Sequence, residues 1–584
     1  GPAGDTEFAV RFLSLVAGVL LVAVTARIAR SLFGPRVAVI AALLSALSAF
    51  ELYYSQETRM YIWVALFSAL SFSALTSLMR RIDRGSLSAH AAVDLLIYLL
   101  STIAALYTHY FAPAVLLAQN FAVLVWLIFK WRDKRSRGGP LLFRSIAAWV
   151  GTQAVVVMVF LPWFFYAGNQ LSSWPAISEP LSPIDLAVRV LAAFTVGIDL
   201  PLGGQWLPVA LFGLLFLLGL FFPLFYRRSP NSALSSSPGI AGPFSILVLW
   251  SIVPLAFMYV VSLQRPAYNP KFLLLSTPAF VMLTASGVEV LARALRRLPS
   301  PASPAHAVGA LVLLAAAGLS ASGIYTDSRL QRDDYRGVVG YINAYAQEGD
   351  SVVVDAPGQI DVVRYYYRGA APLVTLPVGR PLNRAATEGV LDDLLHSRRE
   401  VYAIYWATEQ ADPDHYVERV LATNRFQASD EWHGSIRLAQ YGAASSEVTT
   451  LTDRAVHFGD ELVLASVQRI GAGPVRPGRV LGLDFSWVVL NQPAGNYKVF
   501  VHLLDSGGGI VSQRDSEPSA GFRPTSSWLE GETIADRLGI LIRPGTPPGN
   551  YTLVMGVYRP ESGTRLPVSG GGDHIELGQV TVAP

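Results

Sequence analysis

The chain of 584 residues contains no cysteine, and only 15% of its residues are charged. The absence of cysteine excludes a disulfide framework and any metal site built on thiolates. The sequence also lacks a phosphate-binding glycine loop, a dinucleotide-binding fingerprint and a His/Cys cluster with metal-ligand spacing. A net charge of +3 does not point to nucleic acid as a partner. No motif therefore indicates a nucleotide-binding enzyme or a thiolate metal protein.

Apolar residues, in contrast, make up 52% of the chain, and most of them lie before residue 325. A bilayer core about 30 Å thick requires about 20 mostly apolar residues in one helix. This criterion predicts about ten spans, which are the ranges 8–31, 37–54, 60–79, 91–108, 110–130, 145–166, 205–226, 244–262, 271–292 and 306–324.

Lys and Arg are concentrated in alternate loops between these spans, which we therefore assign to the cytoplasmic side. The opposite, outer loops carry aromatic, acidic and amide groups in the segments 4–11, 53–61, 106–111 and 263–272. Ionisable residues at span ends are costly to bury in lipid, so they face a water-filled cavity or one another. We predict that these segments converge on one site at the outer mouth of the helical bundle.

The long outer loop, 167–204, contains the pattern of a capped helix, with Ser182 and Pro183 at its start. Such a helix would lie at the membrane interface, and a simple covering loop is the alternative.

The pattern becomes that of a soluble protein after residue 325. Alternating helices and strands over 326–446 predict a small α/β domain with a mainly parallel sheet. The range 447–584 reads as a β-sandwich that contains two similar segments, PAGNYKVFVHLLD (493–505) and PPGNYTLVMGVYRP (547–560). The predicted domains are therefore 1–325 in the membrane, 326–446 and 447–584. The sandwich would either bind carbohydrate or serve as a packing module.

Segment 50–70, FELYYSQETRMYIWVALFSAL, resembles bacterial members of the GT-C superfamily, relatives of protein O-mannosyltransferases and of the lipid A aminoarabinose transferase. EFAVRFLSLVAGVL, LYTHYFAPAVLLAQN and NPKFLLLSTPAF resemble further segments of that family in the same order. The resemblance covers about 1–325. It implies a multi-pass cell-membrane glycosyltransferase that transfers a sugar from a polyprenyl-phosphate carrier to an acceptor at the outer face of the cell envelope. The alternatives are a non-catalytic glycan-binding membrane scaffold and a transporter of lipid-linked sugars.

The resemblance also implies a general base, an Asp in the first outer loop of the family. We expect that base upstream of Gly1, in a longer protein, because segment 4–11 matches only the end of that loop. Within this chain, Glu7 and Glu57 are the residues that could substitute for it. No cofactor is predicted, and a divalent metal stays an open alternative.

Eight residues form the predicted substrate-binding set: Arg11, Glu57, Arg59, Tyr61, His109, Tyr110, Arg265 and Lys271. Arg59 would hold the carrier phosphate through paired donors, and Lys271 stands where the family carries Arg. Several of these residues also have a structural alternative. These alternatives are a local ion pair of Arg11 with Glu7, pairing of Glu57 with Arg59, an interface anchor for Tyr61, a hydrogen-bonded group at a tight turn for His109, and snorkelling for Lys271.

Overall fold

The computed structural model describes residues 6–83, 89–132, 140–172, 180–197, 206–223, 241–264, 266, 268–295, 305–326, 332–355, 357–379, 382–397, 399–443, 445 and 447–584. Arg265, one of the predicted site residues, lies outside these ranges. The chain divides into two compact units, Gly1–Gln331 and Arg332–Pro584.

The first unit is helical in its described residues. Its helices are α1 (Glu7–Phe33), α2 (Pro35–Ala46), α3 (Ala49–Ser55), α4 (Tyr61–Asp83), α5 (Ala89–Thr108), α6 (Pro113–Arg132), α7 (Pro140–Ser172), α8 (Pro183–Val196), α9 (Trp206–Leu220), α10 (Ala241–Gln264), the 3-10 helix Pro270–Ser276, α11 (Thr277–Leu295) and α12 (Ala305–Thr326). The predicted helix in the outer loop is confirmed as α8, since the Ser182 hydroxyl caps it by accepting the N–H of Asp185 at 3.1 Å.

Seven of these described helices are long and apolar enough to cross a membrane, and an eighth span results if α2 and α3 count as one. The apolar helices α9 and, within α12, Leu313–Thr326 occupy two further predicted spans but are shorter. The prediction of a polytopic helical membrane domain is confirmed. The protein is a multi-pass membrane protein.

The predicted span 37–54 is not one straight helix. Its two helices, α2 and α3, are bent by 56° at the break between them. Ser48 has an extended backbone there, and its hydroxyl caps α3 by accepting the N–H of Glu51 at 3.3 Å. This local cap restarts the helix in a new direction.

Helices α9 and α11 pack through two glycines. A Cβ atom added to Gly219 would lie 2.0 Å from the carbonyl oxygen of Leu283, and one added to Gly287 would lie 1.9 Å from that of Leu215. Only glycine permits this approach of the two backbones, which is a common packing device of membrane helices.

The second unit contains helices and two sheets. The helices are α13 (Tyr335–Tyr345), α14 (Ile360–Tyr366), α15 (Arg384–Ser397) and α16 (Tyr416–Asn424). The strands are β1 (Ser351–Asp355), β2 (Leu373–Leu376), β3 (Val401–Tyr405), β4 (Phe426–His433), β5 (Ile436–Gly442), β6 (Val448–Thr452), β7 (Val456–Phe458), β8 (Leu462–Ile470), β9 (Val480–Val489), β10 (Lys498–Leu504), β11 (Ile510–Ser516), β12 (Thr533–Leu541), β13 (Gly549–Tyr558) and β14 (Ile575–Val582).

The larger sheet has the order β2-β1-β3-β5-β4-β12-β9-β8-β6, with β7 paired to β8. Its strands β2, β1 and β3 are parallel, as predicted, whereas β5 is antiparallel to β3. Strand β4 was not predicted and joins β12 through the pair Gln427 and Leu538. The strands of segments 326–446 and 447–584 thus belong to one sheet, and the division after residue 446 stays a prediction.

The smaller sheet has the order β11-β10-β13-β14. Apolar side chains from both sheets form one buried cluster, which includes Trp487 of β9 and Val501 of β10. The two similar segments form β10 and β13, which are neighbouring antiparallel strands. In the second of them, the Tyr551 hydroxyl donates to the carbonyl of Pro547 at 2.7 Å, a tyrosine-corner bond.

Candidate functional site

The ring of Phe272 lies at the centre of an aromatic cluster in the first unit, Gly1–Gln331, which we name the membrane unit. Its centroid is 5.0 Å from that of His109, 5.4 Å from that of Tyr110 and 6.4 Å from that of Tyr61. Three of these side chains were predicted as site residues from separate parts of the sequence. The structure therefore brings together the start of α4, the turn between α5 and α6, and the 3-10 helix.

Local sequence explains why these residues lie at element ends. His109 and Tyr110 follow the end of α5, and Pro113 begins α6, so a tight turn presents both rings. On the 3-10 helix, Asn269 caps the first turn by accepting the N–H of Lys271 at 3.4 Å.

Lys271 contributes the positive charge of this cluster. Its Nζ atom lies 5.3 Å from the ring centroid of Tyr61 and 5.9 Å from that of Phe272, within cation–π range. Lys271 also interacts electrostatically with Arg59 and Glu57. Lys271 therefore lies within electrostatic range of a second cation and of a carboxylate from the predicted set. We name Tyr61, His109, Tyr110, Lys271 and Phe272 the Lys271 cluster.

His109 presents a hydrogen-bond donor in this cluster. Its Nδ1 atom accepts the N–H of Phe111 at 3.0 Å, which assigns the proton of the neutral ring to Nε2. The residue is only 3% exposed, and Nε2 has no hydrogen-bond partner among the described residues. A buried N–H without a partner is costly, so this atom is suited to donate to a bound oxygen atom.

An apolar groove adjoins Arg59. It has a volume of about 540 Å³ and is lined by Val10, Leu13, Ser14, Thr58, Arg59, Met60 and Trp63. The lining comes from α1, from the segment that leads into α4 and from the first turn of α4. A chain of apolar groups could lie in this groove, with its charged end at the Arg59 guanidinium.

The two predicted residues on α1 form a local ion pair. Arg11 Nη2 lies 3.8 Å from Glu7 Oε2, one helical turn away, and both side chains are about one-third exposed. This is the structural alternative considered for them. Val10 on the same turn lines the groove.

Sequence reasoning missed Glu51, a carboxyl group that is only 4% exposed. Its two oxygens accept hydrogen bonds from the hydroxyls of Ser45 and Thr277, at 2.5 Å and 2.6 Å. The signal was available, because an ionisable residue inside a predicted span is rare and usually functional. Phe272 was also missed, since one more Phe in an apolar run carries no signal.

Across the part of the chain that the structure describes, no group of three or more His, Asp or Glu residues could hold a metal ion. The divalent metal that the resemblance left open therefore has no candidate ligand set among these residues.

The chain is similar to several known proteins. Residues 3–58 match the family model of dolichyl-phosphate-mannose-protein mannosyltransferases. Among solved structures, the chain is similar to ArnT from Cupriavidus metallidurans bound to undecaprenyl phosphate, with 13% identity and a TM-score of 0.45, over 75% of this chain and 85% of that one. It is also similar to the Archaeoglobus fulgidus oligosaccharyltransferase in complex with Zn and sulfate, with 14% identity and a TM-score of 0.44, over 72% of this chain and 60% of that one. No curated protein matches.

The matched segment contains α1, α2, α3 and the loop that carries Glu57. It therefore includes the segment EFAVRFLSLVAGVL and the first nine residues of FELYYSQETRMYIWVALFSAL. The predicted resemblance to the protein mannosyltransferases is confirmed for residues 3–58.

Proposed function

We propose that the protein transfers a sugar from a polyprenyl-phosphate carrier to an acceptor at the outer face of the membrane. The observation that carries this proposal is the position of Lys271 beside His109, whose buried Nε2–H lacks a partner among the described residues. A cation and a hydrogen-bond donor at one place are suited to bind a phosphate group. The name of the matched family, which specifies a lipid-phosphate sugar donor, supports the same class of donor.

The proposed chemistry places these groups on the leaving phosphate. When the bond between the sugar and the phosphate oxygen breaks, negative charge develops on that oxygen. Lys271 and His109 would stabilise this charge, and Arg59 would hold the phosphate through its paired N–H groups. Stabilisation that strengthens as the bond breaks increases the rate of transfer.

The groove beside Arg59 would receive the isoprenoid chain next to the phosphate. Its lining is mostly apolar, and the guanidinium provides the polar end that an anionic lipid requires. Glu57 would orient the acceptor hydroxyl, since it interacts electrostatically with Lys271 and thus lies near the phosphate. The general base itself is assigned by the resemblance alone to an Asp of the first outer loop of the family.

The charges of the loops support the outer location of this site. The Lys271 cluster belongs to the loops that are poor in Lys and Arg, which the positive-inside rule assigns to the outer side. The same rule assigns residues after 325 to that side, and we propose that the second unit is extracytoplasmic.

Binding of undecaprenyl phosphate to the full chain in lipid nanodiscs, followed by native mass spectrometry, tests the phosphate site. We expect Lys271→Ala to weaken binding about tenfold or more, the loss expected for a hydrogen bond to a charged group. Lys271→Arg should retain most of the affinity. Lys130→Ala is the matched control, because Lys130 also lies over an aromatic ring, 4.5 Å from that of Trp126, in another part of the unit.

Equal binding by Lys271→Ala and the unchanged chain would contradict the proposed site. Transfer of radiolabelled sugar from a polyprenyl-phosphate donor by the native full-length protein tests the reaction. Binding without transfer would favour the scaffold, and movement of the intact donor across a liposome membrane would favour the transporter.

A further inference from the structure

Glu51 is a buried carboxyl group that the proposed chemistry does not use. Its side chain lies inside the membrane unit, 4% exposed, with Oε2 at 2.5 Å from the Ser45 hydroxyl and Oε1 at 2.6 Å from the Thr277 hydroxyl. A carboxyl group inside a membrane protein is costly unless its oxygens are hydrogen-bonded. The two hydroxyls supply those bonds, so the stability of this site depends on keeping all three side chains in place.

The partners of Glu51 lie on different elements. Ser45 belongs to α2 and Glu51 to α3, so the first bond crosses the 56° break between these helices. Thr277 begins α11 directly after the 3-10 helix, so the second bond connects α3 to the end of that helix. One carboxyl group therefore joins two consecutive helices to an element that is 226 residues away in sequence.

These elements carry the two cations of the proposed phosphate site. Helix α3 ends at Ser55 and leads directly into the segment with Glu57 and Arg59, whereas the 3-10 helix carries Lys271. Phe272 on the 3-10 helix contacts the rings of His109 and Tyr110. These ring contacts hold the 3-10 helix against the turn between α5 and α6. The Thr277 hydroxyl is shared between Glu51 at 2.6 Å and the carbonyl of Leu274 on the 3-10 helix at 2.9 Å, so it links that helix to α3.

We propose that Glu51 is a positioning residue that fixes the spacing between Arg59 and Lys271, so that both cations reach one phosphate group. This inference rests on the proposed function for its purpose, although the spacing itself can be measured without any ligand. A carboxyl group suits the task because its two oxygens accept from two hydroxyls at once, in fixed directions. An apolar side chain of the same size would pack but would not fix the register of the elements.

The first experiment measures binding of undecaprenyl phosphate to the full chain in nanodiscs. We expect Thr277→Val to weaken binding about tenfold, because the change removes the hydroxyl at almost constant volume and leaves one Glu51 oxygen without its donor. Thr284→Val is the matched control on the same helix. Thr284 is fully buried, but its hydroxyl donates at 2.9 Å to the carbonyl of Phe280 in its own helix. That control should bind within about twofold of the unchanged chain.

Variants at Glu51 itself provide a graded test. Glu51→Gln keeps one acceptor oxygen, so it should bind better than Glu51→Leu, which keeps none. Equal binding by both variants would contradict a role through hydrogen bonds. If Glu51→Leu does not fold, the comparison of Thr277→Val with Thr284→Val still tests the positioning role of Glu51.

The second experiment measures the spacing directly. The chain has no cysteine, so spin labels can be attached after Thr58→Cys and Pro266→Cys without removing native thiols. We expect one narrow distance distribution in this labelled background, a broadened or shifted one after Thr277→Val, and no change after Thr284→Val. An unchanged distribution after Thr277→Val would overturn the positioning role.

The two readouts separate the two proposals. A changed spacing in a chain whose unchanged form does not bind undecaprenyl phosphate would contradict the phosphate site and leave the positioning role intact. An unchanged spacing together with binding that depends on Lys271 would contradict the positioning role and leave the phosphate site intact.

Discussion

The two units of this chain satisfy their buried polar groups in different ways. In the membrane unit, two buried acids pair with arginine near helix ends, Asp94 with Arg81 and Glu289 with Arg293, both at 2.7 Å. Its buried hydroxyls donate to carbonyls of their own helix, as Ser68 does to Val64 at 2.6 Å and Thr284 to Phe280 at 2.9 Å. Even the buried carboxyl of Glu51 is held by two neutral hydroxyls. The second unit joins its elements through full charges. The Arg479 guanidinium lies 2.6 Å from the carboxylate of Asp350 and 3.1 Å from that of Glu400, and both acids are buried.

This difference follows from where each unit folds. A full charge within the bilayer is costly because no water is present to solvate it. Neutral partners and hydrogen bonds within one helix are therefore less costly. In a water-soluble core, an ion pair with good geometry is tolerated and fixes which elements meet. Arg479 precedes β9, whereas Asp350 precedes β1 and Glu400 precedes β3, so the ion pairs join the α/β layer to the sandwich.

The largest expected effect is that of breaking this ionic network. Arg479→Ala should destabilise the second unit by about 3–5 kcal/mol, because two buried carboxylates lose their cation. Thermal unfolding of the full chain, followed by the circular dichroism of its strands, measures the loss. Arg537→Ala is the control, since Arg537 lies 3.6 Å from Asp484 in a partly exposed pair, for which about 0–1 kcal/mol is expected. Similar losses in both variants would contradict a special role for Arg479.

A smaller effect is expected from the glycine contact of the membrane unit. Gly287→Ala should destabilise that unit by about 1–3 kcal/mol, because the new methyl group would meet the backbone of α9 at Leu215. Gly318→Ala on α12 is the control, since a Cβ atom there meets no atom within 4 Å. Thermal unfolding in detergent should show a loss for the first change and none for the second. The stability of the membrane unit would then depend on close packing, and that of the second unit on charge pairing.

The smallest effect concerns a buried carboxyl group of the second unit that does not follow the pairing of buried acids with arginine. Asp355 is 1% exposed, and its Oδ1 atom has no hydrogen-bond partner among the described residues. Burial, together with the nearby charges of Asp412 and Glu418, raises the pKa of Asp355 from 3.8 to about 8. The folded chain therefore keeps a proton that the unfolded chain has released. The free energy of unfolding decreases as the pH increases from about 4 to about 8.

Asp355→Asn removes this titration. The variant should unfold about 2–4 °C above the unchanged chain at pH 9, the shift that about 1 kcal/mol produces in a unit of this size. The two melting temperatures should approach each other at pH 4. A constant difference between pH 4 and pH 9 would show that Asp355 does not titrate in this range.

Most of the spans, and four of the five residues that meet in the Lys271 cluster, could be predicted because both depend on local patterns. An apolar run predicts a helix, and polar aromatic residues at its outer end indicate a site, as Tyr61, His109 and Lys271 show. The break at Ser48 was missed because a single capped turn is invisible in an apolar average. Strand β4 was missed because its sequence, FQASDEWH, is polar and only its first three residues are buried.

Contacts between distant residues could not be predicted. The bond between Thr277 and Glu51 connects residues 226 positions apart, and the pair of Arg479 with Asp350 connects residues 129 positions apart. One sequence contains no signal that selects such partners. Their side chains were visible as isolated charged or hydroxyl groups, but their roles depend on the fold.

The larger sheet of the second unit has a consequence for the synthesis of the protein. Strand β4 pairs with β12, and the carboxylates of Asp350 and Glu400 form ion pairs with Arg479. While the ribosome has produced only the α/β segment, these two acids lack their partner and one edge of the sheet is open. We therefore expect the segment to complete its fold only after Arg479, 129 residues beyond Asp350, and the later strands have been made. Until then its open strand edge favours aggregation.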